Sequence, residues 1–285
     1  FYAALLNAQP MGFWSPHSLV QDARRHGVVV LSPDINASTA GATLEPHTES
    51  AGGFALRLGI SSVRGLGDEL AKAIAAARPF TSMEDLVRRV PQLNLTQIET
   101  LATSGAYTQC FEISRRDALW SAGAVIQSRP DRLMGVTTGS DSPQLPGMQP
   151  VEQSICDLWS TGISIDGHPT QFVRSQLSKL GVITANELPK VESGSRIFVG
   201  GVITHRQRPS TSRGVTFFSL EDETGLINVI VSQGCFKRFR YVAMNASALL
   251  VRGKIESSQG VVNIIADHLS ELKIDARGVG SRNFR

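Results

Sequence analysis

From Arg196 onward the chain changes its period, and this change limits the possible folds more than any other feature. Residues 197–204, 215–220 and 226–231 are three runs rich in β-branched residues. A helical stretch follows at about residues 235–244, and residues 248–255 and 261–269 are two further runs of the same kind. β-Branched side chains suit a pleated, half-buried surface. Glu223-Thr224-Gly225 separates the second run from the third by a tight hairpin turn. Five short strands with a helix between the third and the fourth follow the order of an OB-fold, a five-stranded β-barrel.

The sequence before the barrel reads differently. Residues 1–38 predict helix, helix, strand: Arg24-Arg25-His26-Gly27 ends the second helix, and residues 28–31 form a short buried strand. Residues 54–120 are dominated by helical periodicity, with Ile60, Val63, Leu66, Leu70, Ala71 and Ile74 on one apolar face, and Thr81 with Glu84 resembles a capping box. Residues 128–150 are rich in Pro, Gly and Ser and predict a linker or long loop. The expected fold class is α+β and multi-domain, a mainly helical region followed by the barrel. Its segments are 1–53, 54–127, 128–191, 192–272 for the OB-fold, and a loosely held polar tail, 273–285.

No apolar run approaches the roughly 18 residues of a membrane span, so no membrane partner is expected. The chain begins at Phe1 without a basic, apolar, small-residue leader, as a fragment of a cytoplasmic protein would. Cys110, Cys156 and Cys235 are far apart and show no CxxC spacing. That speaks against a disulfide framework and a zinc site, and fits a reducing compartment.

Charge placement points to a polyanion. Residues 192–285 hold 13 Lys and Arg against 8 Asp and Glu, whereas the preceding residues hold 15 against 17. Two elements are candidate contacts. In Val63-Arg64-Gly65-Leu66-Gly67 two glycines at the start of a helix leave amides near Gly65 and Gly67 open to a phosphate, with Arg64 and Lys72 adding charge. The pattern fits a helix-hairpin-helix grip on a DNA backbone; a Gly-rich turn between packed helices is the alternative. The second is the loop between the first two barrel strands, which carries Arg206, Arg208 and Arg213. Phe217 and Phe218 point to opposite faces of the second strand, and Phe218 shares the face of Leu220. Phe217 then either stacks on a base or is covered by a neighbouring domain. Lys237, Arg238 and Arg240 either extend the basic surface or form a solvated helix face.

Glu221-Asp222-Glu223 reads as turn carboxylates rather than a metal site, and His168 before Pro169 as the start of a helix rather than a catalytic group. No Gly-x-Ser-x-Gly, HExxH or Walker pattern is present. No catalytic and no metal-ligating residue is assigned.

Longer stretches resemble one family. Phe1-Tyr2-Ala3-Ala4-Leu5-Leu6-Asn7, Gln9-Pro10-Met11-Gly12-Phe13 and Asp22-Ala23-Arg24-Arg25-His26-Gly27 resemble the end of the fingers region in bacterial C-family DNA polymerases, relatives of the DNA polymerase III α subunit. Leu58-Gly59-Ile60 through Gly67 resembles their helix-hairpin-helix. Arg115-Arg116-Asp117-Ala118-Leu119-Trp120, Gly167-His168-Pro169, Arg206-Gln207-Arg208-Pro209, Leu220-Glu221-Asp222-Glu223-Thr224-Gly225, Asn228-Val229-Ile230-Val231 and Ser281-Arg282-Asn283-Phe284 are similar to the error-prone branch.

The resemblance implies a carboxy-terminal, DNA-binding part of a polymerase for translesion synthesis and damage-induced mutagenesis. The implied partners are DNA, upstream polymerase domains, the sliding clamp and a Y-family-like accessory protein. The implied chemistry is phosphoryl transfer with Mg²⁺ on palm aspartates. None of the residues here matches those aspartates; they would lie before Phe1, and this fragment alone would be inactive. Gln144-Leu145-Pro146-Gly147-Met148 does not make a clamp-binding peptide, and Asn283 stands where the family pattern has an acidic residue before the Phe. Two other readings use the same elements: a free-standing DNA-binding accessory protein, and an OB-fold that binds RNA.

Overall fold

The computed structural model describes residues 1–12, 14–128, 142–258 and 260–274, and the backbone of 282–284. It divides into two compact units: Phe1–Met11 with His26–Ile165, and Gly12–Arg25 with Asp166–Arg285.

In the first unit, α1 (Tyr2–Asn7) is followed, after α2 (Pro16–Arg25) of the second unit, by a small sheet of β1 (Val30–Leu31), β2 (Thr43–Pro46) and β3 (Phe54–Arg57). β3 is central, parallel to β1 and antiparallel to β2. Two features depart from the expected helix across this region. Phe54–Arg57 is a strand, and the apolar repeat of Ile60 to Ile74 spans a short 3-10 turn (Ile60–Ser62) and a hairpin before α3 (Asp68–Ala77) begins. Gly65, at φ +78°, prevents a continuous helix. Ile60, Val63 and Leu66 are nevertheless buried with Ala71 and Ile74. The hairpin folds them onto the same core that a helix face would have reached.

α4 (Met83–Arg89), α5 (Leu95–Ser104), α6 (Thr108–Phe111), α7 (Arg115–Val125) and α8 (Pro150–Thr161) complete this unit. The cap of α4 lies one residue later than expected: Ser82 Oγ accepts from Asp85 N at 3.1 Å. α5 starts with a capping box between Asn94 and Gln97 and stops at left-handed Gly105. Two ion pairs tie α7 to α8: Arg116 Nη2 lies 2.9 Å from Glu152 Oε1, and Arg115 Nη1 lies 2.6 Å from Asp157 Oδ1 with both of these side chains largely out of solvent. Most of the expected linker, residues 129–141, lies outside the described residues.

The second unit is the barrel with α2, a 3-10 turn (Pro169–Val173), α9 (Arg174–Lys179) and β4 (Val182–Ile183). Its strands are β5 (Arg196–Gln207), β6 (Thr216–Glu221), β7 (Leu226–Val231), β8 (Ala248–Ser258) and β9 (Val261–Glu271). α10 (Gln233–Arg238) and α11 (Arg240–Asn245) occupy the predicted helical position. Pairing runs β5-β6-β7-β9-β8 and returns to β5, with β7 and β9 parallel. The expected five strands and helix are all present, and the sheet is closed. Val199, Ile203, Phe218, Leu220, Val229, Val251, Ile255 and Ile264 fill its interior.

In the tail, residues 275–281 and 285 lie outside the described residues, and the backbone of β10 (Arg282–Phe284) pairs in parallel with His205–Gln207. The loosely held tail expected from its composition thus contains one short paired stretch. No helix among the described residues is long and apolar enough to cross a membrane.

A Cβ on Gly201 would stand 2.7 Å from the Glu221 carbonyl oxygen. Gly201→Ala is expected to lower stability by about 1–3 kcal/mol, read as an earlier denaturant midpoint. Asp157→Ala leaves the Arg115 guanidinium on the Thr103 and Gln153 carbonyls without its counter-charge and is expected to cost about 3–5 kcal/mol; an unchanged midpoint would show that the pair is not buried in solution.

Candidate nucleic-acid interface

In the first unit the hairpin is held by its apolar side chains. Val63 and Leu66 are buried on either side of Gly65, and Gly67 caps α3. No atom lies within 4 Å of where a Cβ would stand on either glycine, so the backbone surface there is open. The carbonyl of Gly65 accepts from Gln97 Nε2 at 3.0 Å, and the amide of Arg64 donates to the Ser160 carbonyl at 2.7 Å. The Arg64 guanidinium lies 5.4 Å from the ring centre of Trp159, a contact that nothing in the sequence signals. Lys72 is exposed one turn into α3, and its ammonium is shared with Glu69 at 2.8 Å. Asp68 and Glu69 occupy the first turn. Arg64, Gly65 and Gly67 therefore share one turn, while carboxylates beside it complement the helix dipole themselves.

In the barrel, β6 alternates as its sequence predicts. Phe218 and Leu220 enter the core, and Phe217 faces outward with 37% of its surface exposed. Register places Phe217 between Gln207 of β5 and Ile230 of β7, and the next rung of that face holds Ser219 between His205 and Asn228. The loop from β5 to β6 is more ordered than its polar composition suggests. Ser212 Oγ lies 2.7 Å from the Pro209 carbonyl and 2.9 Å from that of Val215, and Arg213 and Gly214 take left-handed conformations.

The three loop arginines differ. Arg213 and Arg208 are exposed, the latter 4.8 Å from the centre of the Phe236 ring. Arg206 is half-buried and donates to the Ala246 carbonyl, and burial holds its pKa below the usual arginine value. Lys237, Arg238 and Arg240 lie exposed on α10 and α11.

The acidic triplet divides by role. Asp222 Oδ1 accepts from the amides of Thr224 and Gly225 at 2.8 and 2.9 Å, which makes the hairpin turn, and its Oδ2 accepts from Ala185 N at 2.8 Å. Glu223 pairs with Arg174, whose Nη2 is 2.9 Å from Oε2. Glu221 is fully buried: Arg25 Nη1 reaches its Oε1 at 2.9 Å and Ser18 Oγ its Oε2 at 3.2 Å. Burial, opposed by Arg25 and Ser18, pushes the Glu221 carboxyl up to about 7.

His17 and His168 lie beside it, their ring centres 5.7 Å apart. His17 is held down at about 4 by burial and then by Arg24 and Arg25, and His168 is held well below the usual histidine value by burial. His168 precedes the Pro169–Val173 turn, as its sequence position suggests. In the sequence the triplet reads as turn carboxylates alone. Here two imidazoles stand beside Glu221, brought by segments far away in the chain.

Comparison with known proteins agrees with both elements. Residues 27–118 match a helix-hairpin-helix motif model, and residues 197–272 match a model of the OB-fold nucleic acid binding domain. The chain is 50% identical over its whole length to an error-prone DNA polymerase of Mycolicibacterium paratuberculosis, covering 26% of that protein. It is 50% identical to the one of Nocardia farcinica, covering 25%, and 43% identical to that of Corynebacterium glutamicum, covering 26%. The chain thus spans about a quarter of the length of the curated relatives it matches. A solved asparaginyl-tRNA synthetase from Pyrococcus horikoshii is similar at 16% identity and a TM-score of 0.28, over 33% of this chain and 23% of that one. With a helix-hairpin-helix followed by an OB-fold, the chain matches the carboxy-terminal quarter of error-prone DNA polymerases.

Proposed function

We propose that this chain holds DNA for an error-prone, translesion-synthesising polymerase. In this reading the outer face of β6 and β7 takes single-stranded template, and the Val63–Gly67 hairpin touches duplex backbone. The observation that carries it is Phe217, half-exposed on the outer rung beside Ile230 and at the foot of the arginine loop. An aromatic face beside guanidinium groups suits stacked bases with their phosphates alongside, without selecting a sequence. Arg208 and Arg213 are the phosphate contacts on the loop surface; Arg206 sits at its root. On the hairpin, Arg64 and the open backbone at Gly65 and Gly67 meet phosphate, and Lys72 reaches it by exchanging Glu69 for the polyanion.

The polymerase chemistry, in the cytoplasm and with Mg²⁺, belongs to the whole enzyme and to its upstream domains. Among the described residues the only group gathered as a metal could need it contains two histidines and one carboxylate. Mg²⁺ in phosphoryl transfer takes oxygen ligands, so no catalytic step is placed on this chain. The sliding clamp and a Y-family-like accessory protein are the partners such an enzyme would work with.

The isolated chain is expected to bind single-stranded DNA with steep salt dependence and to leave a primer unextended with Mg²⁺ and dNTPs; extension would refute the assignment of chemistry elsewhere. Replacing Arg206, Arg208 and Arg213 together by Ala should weaken binding and reduce the slope of log K against log salt by roughly 1.4, at about 0.7 for each of the two single-strand phosphate contacts of Arg208 and Arg213. An unchanged slope would remove the loop from the interface. Phe217→Ala should cost about 1–3 kcal/mol of binding with the slope retained, as titrated by fluorescence anisotropy.

A further inference from the structure

Three side chains of the second unit meet in a place the DNA interface does not use. His17 is on α2, His168 precedes the Pro169–Val173 turn, and Glu221 ends β6. All three are almost fully buried, and one ligand atom from each lies within 4.8 Å of the others.

The hydrogen-bond network fixes which atom of His168 faces this group. Thr170 Oγ has one proton and gives it to the Glu223 carboxylate, while accepting from Glu223 N at 3.0 Å. In the tautomer that a metal on Nε2 requires, the 2.7 Å contact with His168 Nδ1 has the imidazole as donor. Nδ1 also accepts from Thr170 N at 3.3 Å, a long bond that is given up when Nδ1 carries the proton. Nε2 is buried and has no hydrogen-bond partner, and with the proton on Nδ1 it offers a lone pair. An imidazole whose Nδ1–H is held by a hydroxyl and a carboxylate behind it, with Nε2 bare, is arranged as metal-bound histidines are. Glu221 is oriented in the same way. Arg25 and Ser18 take one bond on each oxygen, and a carboxylate oxygen has room for another.

We propose that His17, His168 and Glu221 bind one Zn²⁺. Two imidazole nitrogens and one carboxylate oxygen form a donor set that this borderline ion accepts, with water in the fourth position. Tetrahedral bonds of about 2.0–2.1 Å put ligand atoms roughly 3.4 Å apart, so the ion draws together side chains whose ligand atoms lie within 4.8 Å of one another. Its role is structural: it fastens α2 to the start of the β6–β7 turn, within one unit. The lack of paired cysteines does not count against such a site, because none of its ligands is a thiolate.

The test uses the whole 285-residue chain, stripped with a chelator and dialysed against Zn²⁺. Mass spectrometry of the metal content should find one Zn²⁺ per chain, and the thermal midpoint should rise with Zn²⁺ and fall back with chelator. His168→Gln should retain less than a tenth of the metal, and Thr170→Val, which touches no ion, should weaken binding about 10- to 100-fold. His47→Gln, a control in the other unit, should change neither. Should His168→Gln fail to fold, Co²⁺ in the unaltered chain still decides: a tetrahedral absorption band displaced by Zn²⁺ supports the site. No retained Zn²⁺ and no such band, or full retention in a folded His168→Gln, would overturn it.

Discussion

Closure of the barrel depends on a single strand that exchanges partners. β5 pairs with β8 from Arg196 to Val202 and with β6 from Val202 to Gln207. The crossing point admits no side chain, because the backbone of Glu221 lies against Gly201. Had the two sheets not been able to approach there, the ring β5-β6-β7-β9-β8 would stay open, and its apolar interior would face water. The outer rung of Phe217 and the loop of arginines both hang from the far half of this strand. The interface therefore inherits its geometry from a contact that is purely backbone.

Much of this was legible in the sequence. Period two, β-branched residues and the Glu223-Thr224-Gly225 signal marked the five strands, and the alternation of Phe217 and Phe218 was correctly read as outward and inward. These are local properties. The errors arose where distant segments decide. The repeat from Ile60 to Ile74 looked like a helix face, since a hairpin that returns the chain to the same core leaves the same apolar spacing. β3 was missed because its four residues gain their stability from β1 and β2 on either side. Thr81 looked like a cap because its hydroxyl and spacing matched almost as well as those of Ser82.

The candidate site divides along the same line. Residue type and loop position identified the arginines, but only packing shows that Arg206 is tied to the Ala246 carbonyl while Arg208 and Arg213 remain at the surface. The acidic triplet read as a turn, which describes Asp222 and Glu223. Glu221 differs because Ser18, 203 residues away, and Arg25 converge on it. No spacing rule reaches that far, and a buried carboxylate among imidazoles appears only in three dimensions.

The short pairing of β10 has a wider consequence. Past Val202, β8 no longer accompanies β5, and the stretch His205–Gln207 would present a row of open amides and carbonyls on that side. Such a row invites strand addition by another molecule. β10 lies along those three residues, and β4 covers Phe198–Val199. The strand that carries the arginine loop is thereby guarded against self-association at the place where a polyanion would concentrate many copies of the protein.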